Sequence, residues 1–177
     1  MRLTILFLFI VSSTFAQKTI YTITKTDKTE YKAKSYSDKF KKLRITTINN
    51  KKIDIPYNQL EKIKFVEKKK RKSKPENVTL KFIRISKRNG VIMKVLKEGN
   101  CDLYVHEFQY KHYYVLRNGE QIATPIYLKQ ILSNNFKKTA LNYFKDCKKL
   151  TEKIKSKEFT KKNISKMVDY YNSTCEK

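Results

Sequence analysis

The chain has 177 residues and carries 41 Lys and Arg against 16 Asp and Glu, a formal net charge of +25. That length holds one compact domain, or one domain with an appended lobe, and excludes a TIM barrel or a full dinucleotide-binding oxidoreductase. Hydrophobic residues at 40% and aromatics at 12% are too many for a disordered polycation, while three Gly and three Pro exclude collagen-like and Gly-rich phosphate-loop architectures.

The N-terminus begins Met1-Arg2, continues with a mostly apolar stretch from Leu3 to Val11, and reaches small residues at Thr14 and Ala16 before Gln17. This is the pattern of a secretory signal peptide, residues 1–16, cut after Ala16. The apolar run is too short to span a bilayer, and no later stretch of about 20 apolar residues occurs. The expectation is an exported protein of the periplasm, cell envelope or medium, with no transmembrane segment in the mature chain. No Cys follows the cut, which argues against a lipid anchor there. Export also places Cys101, Cys147 and Cys175 where disulfides form, and an odd count leaves one thiol over.

Residues 17–66 alternate as strands. Tyr21 and Ile23 are followed by Tyr31, Ala33 and Ser35, then by Leu43, Ile45 and Thr47. An Asn49-Asn50 turn leads to Ile53 and Ile55, and Leu60, Ile63 and Phe65 form a last strand, giving an N-terminal β-meander. Residues 67–75 are a charge run ending in Pro75, read as a solvated linker or long hairpin loop. Residues 76–126 form a second meander: Val78 to Ile85, Val91 to Val95, Cys101 to Val105, Tyr113 to Leu116 and Gln121 to Thr124. Asn89-Gly90 and Asn118-Gly119 act as hairpin signals. Ile48 to Pro56 can be laid beside Arg117 to Pro125, which either a duplicated hairpin or the common needs of any hairpin explain.

From Tyr127 the period becomes helical. Leu128, Ile131, Leu132, Phe136, Ala140, Tyr143, Phe144, Cys147, Leu150 and Ile154 predict one long helix. Ile164, Met167, Val168 and Tyr171 predict a second, with Asn163 as its N-cap. Residues 127–177 are thus expected to form an antiparallel helical hairpin packed on the sheet. Such a hairpin brings Cys147 and Cys175 into one neighbourhood, where a disulfide would staple the chain end. Cys101 shares a strand face with Leu103 and Val105 and reads as a buried thiol.

Few residues carry chemistry. His106 and His112 flank a turn near Glu107 and Asp102, and stand as candidate metal ligands or as a general base and acid. Asp146, Glu152 and Asp169 lie among lysines and read as solvated faces. Cys-x-x-Cys, nucleophile-elbow, Walker and dinucleotide glycine patterns are absent, so no cofactor and no metal is expected. Asn77, Asn163 and Asn172 begin glycosylation sequons, which matter only in a eukaryotic secretory path.

The positive charge is spread: +8 over 17–66, +5 over 67–74, +3 over 75–126 and +8 over 127–177. Thirty-five of the basic residues are Lys and six are Arg, whereas base-edge and bidentate phosphate recognition favour Arg. Nucleic acid is therefore not expected as a specific partner, although the net field attracts polyanions at low salt. The one dense run, Lys68, Lys69, Lys70, Arg71, Lys72 and Lys74, is the candidate polyanion contact. Tyr110, Tyr113 and Tyr114 offer rings for stacking, or belong to the sheet surface.

Four stretches together resemble a family of small exported proteins of Bacteroidota, flavobacteria above all. They are the leader ending Phe15-Ala16-Gln17; Val95-Leu96-Lys97-Glu98-Gly99-Asn100-Cys101-Asp102-Leu103-Tyr104; Phe144-Lys145-Asp146-Cys147; and Val168-Asp169-Tyr170-Tyr171-Asn172-Ser173-Thr174-Cys175. The resemblance covers most of 90–177. It implies an envelope or exported location and a Cys147–Cys175 pair, and it carries no catalytic residues.

The sequence thus predicts an α+β fold of antiparallel β-meanders, as a curved sheet or small barrels, closed by a helical hairpin. The function expected is a non-catalytic binding or structural module facing an envelope protein or a polyanionic surface. The alternatives are a small secreted hydrolase or ribonuclease using His106 and His112, and a generic polyanion or nucleic-acid binder.

Overall fold

Alternating apolar and polar residues build ten strands, and every paired neighbour runs antiparallel. The computed structural model describes residues 19–68, 74–129 and 135–175. The expected leader, residues 1–16, lies outside the described residues, as do Lys69 to Ser73 of the charge run. The strands are β1 (Tyr21–Lys25), β2 (Glu30–Lys39), β3 (Lys42–Thr47), β4 (Lys52–Pro56), β5 (Leu60–Glu67), β6 (Glu76–Arg84), β7 (Gly90–Lys97), β8 (Cys101–Glu107), β9 (Lys111–Arg117) and β10 (Thr124–Tyr127).

All ten belong to one sheet, ordered β10-β9-β8-β7-β6-β5-β1-β2-β3-β4. The N-terminal half is therefore not a simple meander. After β4 the chain takes a single 3-10 turn, Tyr57–Gln59, and β5 crosses to pair with β1, Ile23 opposite Ile63. The crossing is held by backbone bonds: Tyr57 N donates to Lys41 O (3.3 Å) and Thr26 N to Gln59 O (2.9 Å). Strand β5 then pairs with β6 and fuses the two halves. Glu67 stands opposite Glu76, so β5 and β6, on either side of the charge run, are antiparallel neighbours in one sheet.

One sheet face carries both large cores. In the N-terminal half Ile23, Ala33, Leu43, Ile45, Ile55, Leu60 and Ile63 are buried, and their packing partners are other strand residues and Tyr57. Among the described residues no α-helix contributes to this cluster, so strand residues of the curling sheet bury one another. In the C-terminal half Cys101, Leu103, Val115 and Ile126 lie under the helices. The opposite face holds a smaller cluster of Ile83, Met93, Tyr104 and Ala123. Ala123 N donates to Arg84 O (2.8 Å) although β7, β8 and β9 stand between β10 and β6. The second half curls as well.

The expected long helix is two short ones. Thr124–Tyr127 is the edge strand β10, where Pro125 is tolerated. Then come α1 (Phe136–Tyr143), α2 (Lys148–Lys155) and α3 (Ile164–Thr174). Residues 130–134, with the predicted Ile131 and Leu132, lie outside the described residues. Apolar positions 140, 144, 147, 150 and 154 keep three- and four-residue steps straight across the break, so periodicity alone could not reveal it. Three helices replace the hairpin. Asn163 does precede α3, but its side chain turns backward, accepting from Thr160 N (2.6 Å) and donating to Glu158 O (2.9 Å).

The aligned segments 48–56 and 117–125 are both hairpins with a left-handed residue at the same place, Asn50 (φ 64°) and Gly119 (φ 87°). Beyond their prolines they diverge, one into the 3-10 turn and the other into a strand and helices.

Candidate functional site

Residues of the two C-terminal motifs meet on Arg117. This arginine ends β9 on the helix-covered face, directly opposite Cys101. Its guanidinium lies over the rings of Tyr143 (4.5 Å), Tyr171 (5.1 Å) and Phe144 (5.7 Å), a cation among aromatic faces. It donates to Tyr143 O at the end of α1, where a cation is favoured, and to Asp146 Oδ1 (2.7 Å). Tyr171 Oη donates to Asp146 Oδ2 (2.7 Å), and Tyr143 Oη to Glu120 Oε2 (2.6 Å). Burial raises the Asp146 carboxyl, but the Tyr171 hydrogen bond and the Arg117 charge outweigh it and hold the group below its ordinary value. Asp146 is thus bonded to Arg117 and Tyr171 while its side chain stays 43% exposed, at the solvated surface its lysine-rich surroundings indicate.

Beside this cluster Cys147 and Cys175 form the disulfide, Cα atoms 5.4 Å apart. Asn172 spans the joint between α3 and β8, accepting from Cys101 N and donating to Cys101 O, both at 2.9 Å. A Cβ at Gly99 would come within 2.5 Å of the Asn172 amide, so glycine permits this approach. Phe144, Asp146, Cys147, Tyr171, Asn172 and Cys175 therefore form a clasp locking helices to sheet. The Asn172 sequon is spent on this bond.

Cys101 is fully buried, and burial pushes its thiol up to about 12. A raised thiol pKa means less thiolate at any pH near neutrality, so Cys101 is no nucleophile. Native protein at pH 8 should resist iodoacetamide for hours, and one thiol should react on denaturation without reductant. Alkylation of the native protein at a free-cysteine rate would contradict this burial.

The structure does bring the two histidines together: His106 and His112 are direct cross-strand partners. Burial, then the neighbouring His112, keeps His106 below its ordinary pKa. The Nδ1 of His112 is buried with no hydrogen-bond partner. Asp102 shares that face but bonds Tyr104 Oη (2.6 Å) and Gly99 N (2.9 Å), and Glu107 points to the other face, paired with Lys111. Among the described residues no group of three or more His, Cys, Asp or Glu is arranged to hold a metal ion.

The helix-covered face has a groove of about 730 Å³ at the tip of the β8–β9 hairpin, between that tip, the end of β10 and the α2–α3 loop. Tyr110, Tyr113 and Tyr127 line it with Lys129, Lys161 and Lys162. Lys129 Nζ lies 4.8 Å from the Tyr110 ring centre and Lys161 Nζ 5.7 Å from that of Tyr127. Tyr113 and Tyr127 are 6.4 Å apart and tilted by 32°. Phe108, 82% exposed, stands at the mouth. The one carboxylate of the lining, Glu107, is paired with Lys111 (2.9 Å). Among the described residues no carboxylate pairs with Lys129, Lys161 or Lys162.

The tyrosine run of the sequence is here split. Tyr110 and Tyr113 enter the groove, whereas Tyr114 faces the opposite cluster with Tyr104. Lys161 and Lys162 escaped sequence reasoning because nothing local ties the α2–α3 loop to a hairpin some fifty residues earlier. Lys68 and Lys74, the described ends of the charge run, are exposed beside the Glu67–Glu76 pair of β5 and β6, two interior strands of the sheet, and neither lines the groove.

No protein-family profile matches this chain, and neither a curated protein nor a solved structure matches it. Fold and groove define an α+β class: one self-curling antiparallel sheet with a three-helix cover. No helix among the described residues is long and apolar enough to cross a membrane.

Proposed function

We propose that this protein is an exported, non-catalytic module of the cell envelope or secretome that binds a polyanionic partner. The observation that carries the reading is the groove at the β8–β9 tip. It combines ring faces that stack on sugars or bases with lysine ammonium groups lacking carboxylate partners. Lysines act as point charges without a fixed fork, which fits a repeating acidic polymer better than one exactingly shaped group. The Bacteroidota-like motifs and the disulfide support an exported setting. In this reading the charge run 68–74 is a second, diffuse contact, with Lys69, Lys70, Arg71 and Lys72 outside the described residues.

Binding to a sulfated polysaccharide and to a single-stranded oligonucleotide across a salt series tests it. Replacing Lys129, Lys161 and Lys162 with Ala should weaken binding about 10–30-fold at low salt, and should lower the oligonucleotide salt slope by about 2. A charge-matched control, Lys148, Lys149 and Lys155 to Ala, should change little, because those residues are exposed on α2 and do not line the groove. Equal losses in the two triple variants would reduce the protein to a generic polycation. The adjacent histidines are what favour a hydrolase. A hydrolytic activity abolished by His106→Ala with His112→Ala would overturn the non-catalytic reading.

A further inference from the structure

Four arginines fall among the described residues. Two are committed to carboxylates, Arg44 to Asp54 (2.7 Å) and Arg117 to Asp146 (2.7 Å). The other two, Arg84 and Arg88, line one pocket together. In a chain whose basic residues are overwhelmingly lysine, this convergence stands out from the diffuse background. The pocket holds about 330 Å³, at the lower end of the range of roughly 300–1,000 Å³ for small-ligand sites. Lys41 from the β2–β3 turn and Lys87 from the β6–β7 loop bring the cations to four. No Asp or Glu lines it, and among the described residues none of the four cations has a carboxylate partner.

One wall is aromatic. Tyr57 and Phe82 stack with centres 4.2 Å apart and planes 1° from parallel. Tyr57 Oη donates to Asp38, and burial, then this bond, raises its pKa, so the wall stays neutral. The loop bearing Arg88 is held in shape. Ser86 Oγ accepts from Asn89 N (3.0 Å), and Ile85 N and Ser86 N both donate to Asn89 O (3.0 and 3.1 Å). The loop is also pressed onto the wall: a Cβ at Gly90 would lie 2.4 Å from a Phe82 ring carbon and 2.8 Å from Ile83 O. Glycine is required here for close approach.

We propose that this pocket binds the phosphate monoester of a ring-bearing ligand. Guanidinium forks grip tetrahedral oxyanions through paired N–H donors, the two lysines add charge, and the Tyr57–Phe82 wall faces the attached ring. The site is separate from the lysine groove and stands without it. Its ligand carries the phosphate on a ring, from either a nucleotide or a phosphorylated sugar such as a lipid headgroup.

The test is titration of the purified, disulfide-bonded protein with phenyl phosphate, followed by the backbone amide shifts of residues 85–90 and by calorimetry. Saturable binding should shift those amides and exceed benzoate affinity about tenfold or more. Arg84→Lys with Arg88→Lys keeps the charge and removes the forks, so phenyl phosphate affinity should drop about tenfold. Both residues are exposed, and an unchanged unfolding midpoint will show that the variant folds. Adenosine 5′-monophosphate binding more tightly than glucose 1-phosphate assigns the nucleotide, and the reverse order assigns the sugar phosphate. The proposal fails if the double lysine variant binds phenyl phosphate as the parent does, or if phenyl phosphate binds no better than benzoate. The Lys129, Lys161 and Lys162 triple variant should leave this titration unchanged, which separates it from failure of the groove.

Discussion

Replacing Cys147 and Cys175 together with Ser should cost the fold about 3–4 kcal/mol. The two residues are 28 apart in sequence, and closing a loop of that length removes conformational freedom chiefly from the unfolded chain. The native contacts around the bond do not depend on it: Asp146 keeps Tyr171, and Asn172 keeps both backbone groups of Cys101. The variant should therefore retain the native spectrum while its denaturant midpoint falls. Out of a typical total of about 5–15 kcal/mol, that is a large share. The intact mass should rise by two hydrogens when the parent is reduced. An unmoved midpoint, or a mass indifferent to reductant, would falsify the staple.

Phe144→Ala should be as damaging, at about 3–5 kcal/mol, by a different route. Phe144 is fully buried in the turn between α1 and α2. Its ring meets Tyr143 edge-on at 5.0 Å and Tyr171 at 4.9 Å, and Arg117 lies 5.7 Å from its centre. Truncation opens a void under all three helices and removes one ring around the Arg117 charge. Phe144→Leu should recover much of the loss, since it refills most of the volume. Phe40→Ala, at a site 87% exposed, should stay within about 0.5 kcal/mol of the parent. Urea unfolding of the three variants checks the order. Phe144→Ala costing no more than Phe40→Ala would mean that the clasp does not hold the helices down. Because Phe144 and the disulfide belong to one cluster, their losses should combine with less than full additivity.

Most strands were legible because period-two alternation survives where one face of a strand is more deeply buried than the other. Ile23, Leu43, Ile45, Ile55 and Ile63 were all placed on strands, and all are core. Legibility stopped where local pattern and tertiary contact part. The turn at 144–147 preserves helical spacing, so α1 and α2 read as one helix. The crossing of β5 to β1 follows from backbone bonds at Lys41 and Gln59, which no side-chain pattern encodes. The bonds of Asp146 were not legible because its partners, Arg117 and Tyr171, are 29 and 25 residues away.

The candidate sites divide in the same way. The charge run 68–74 is visible as composition, and its described ends, Lys68 and Lys74, line neither pocket. The groove and the arginine pocket are each assembled from three or more separated segments, so only their single residues were on view in the sequence.

Composition and periodicity by themselves determined an antiparallel α+β protein of excess positive charge, with helices at its C-terminal end. These properties depend on residue types and on spacings within one element. The single ten-stranded sheet, the clasp at Arg117 and the gathering of Arg84 with Arg88 were decided by the tertiary structure. Each depends on which distant segments the curling sheet brings into contact. The net charge of +25 is spread over the chain with one dense run at 67–74, and folding is what gathers part of the rest into two defined places.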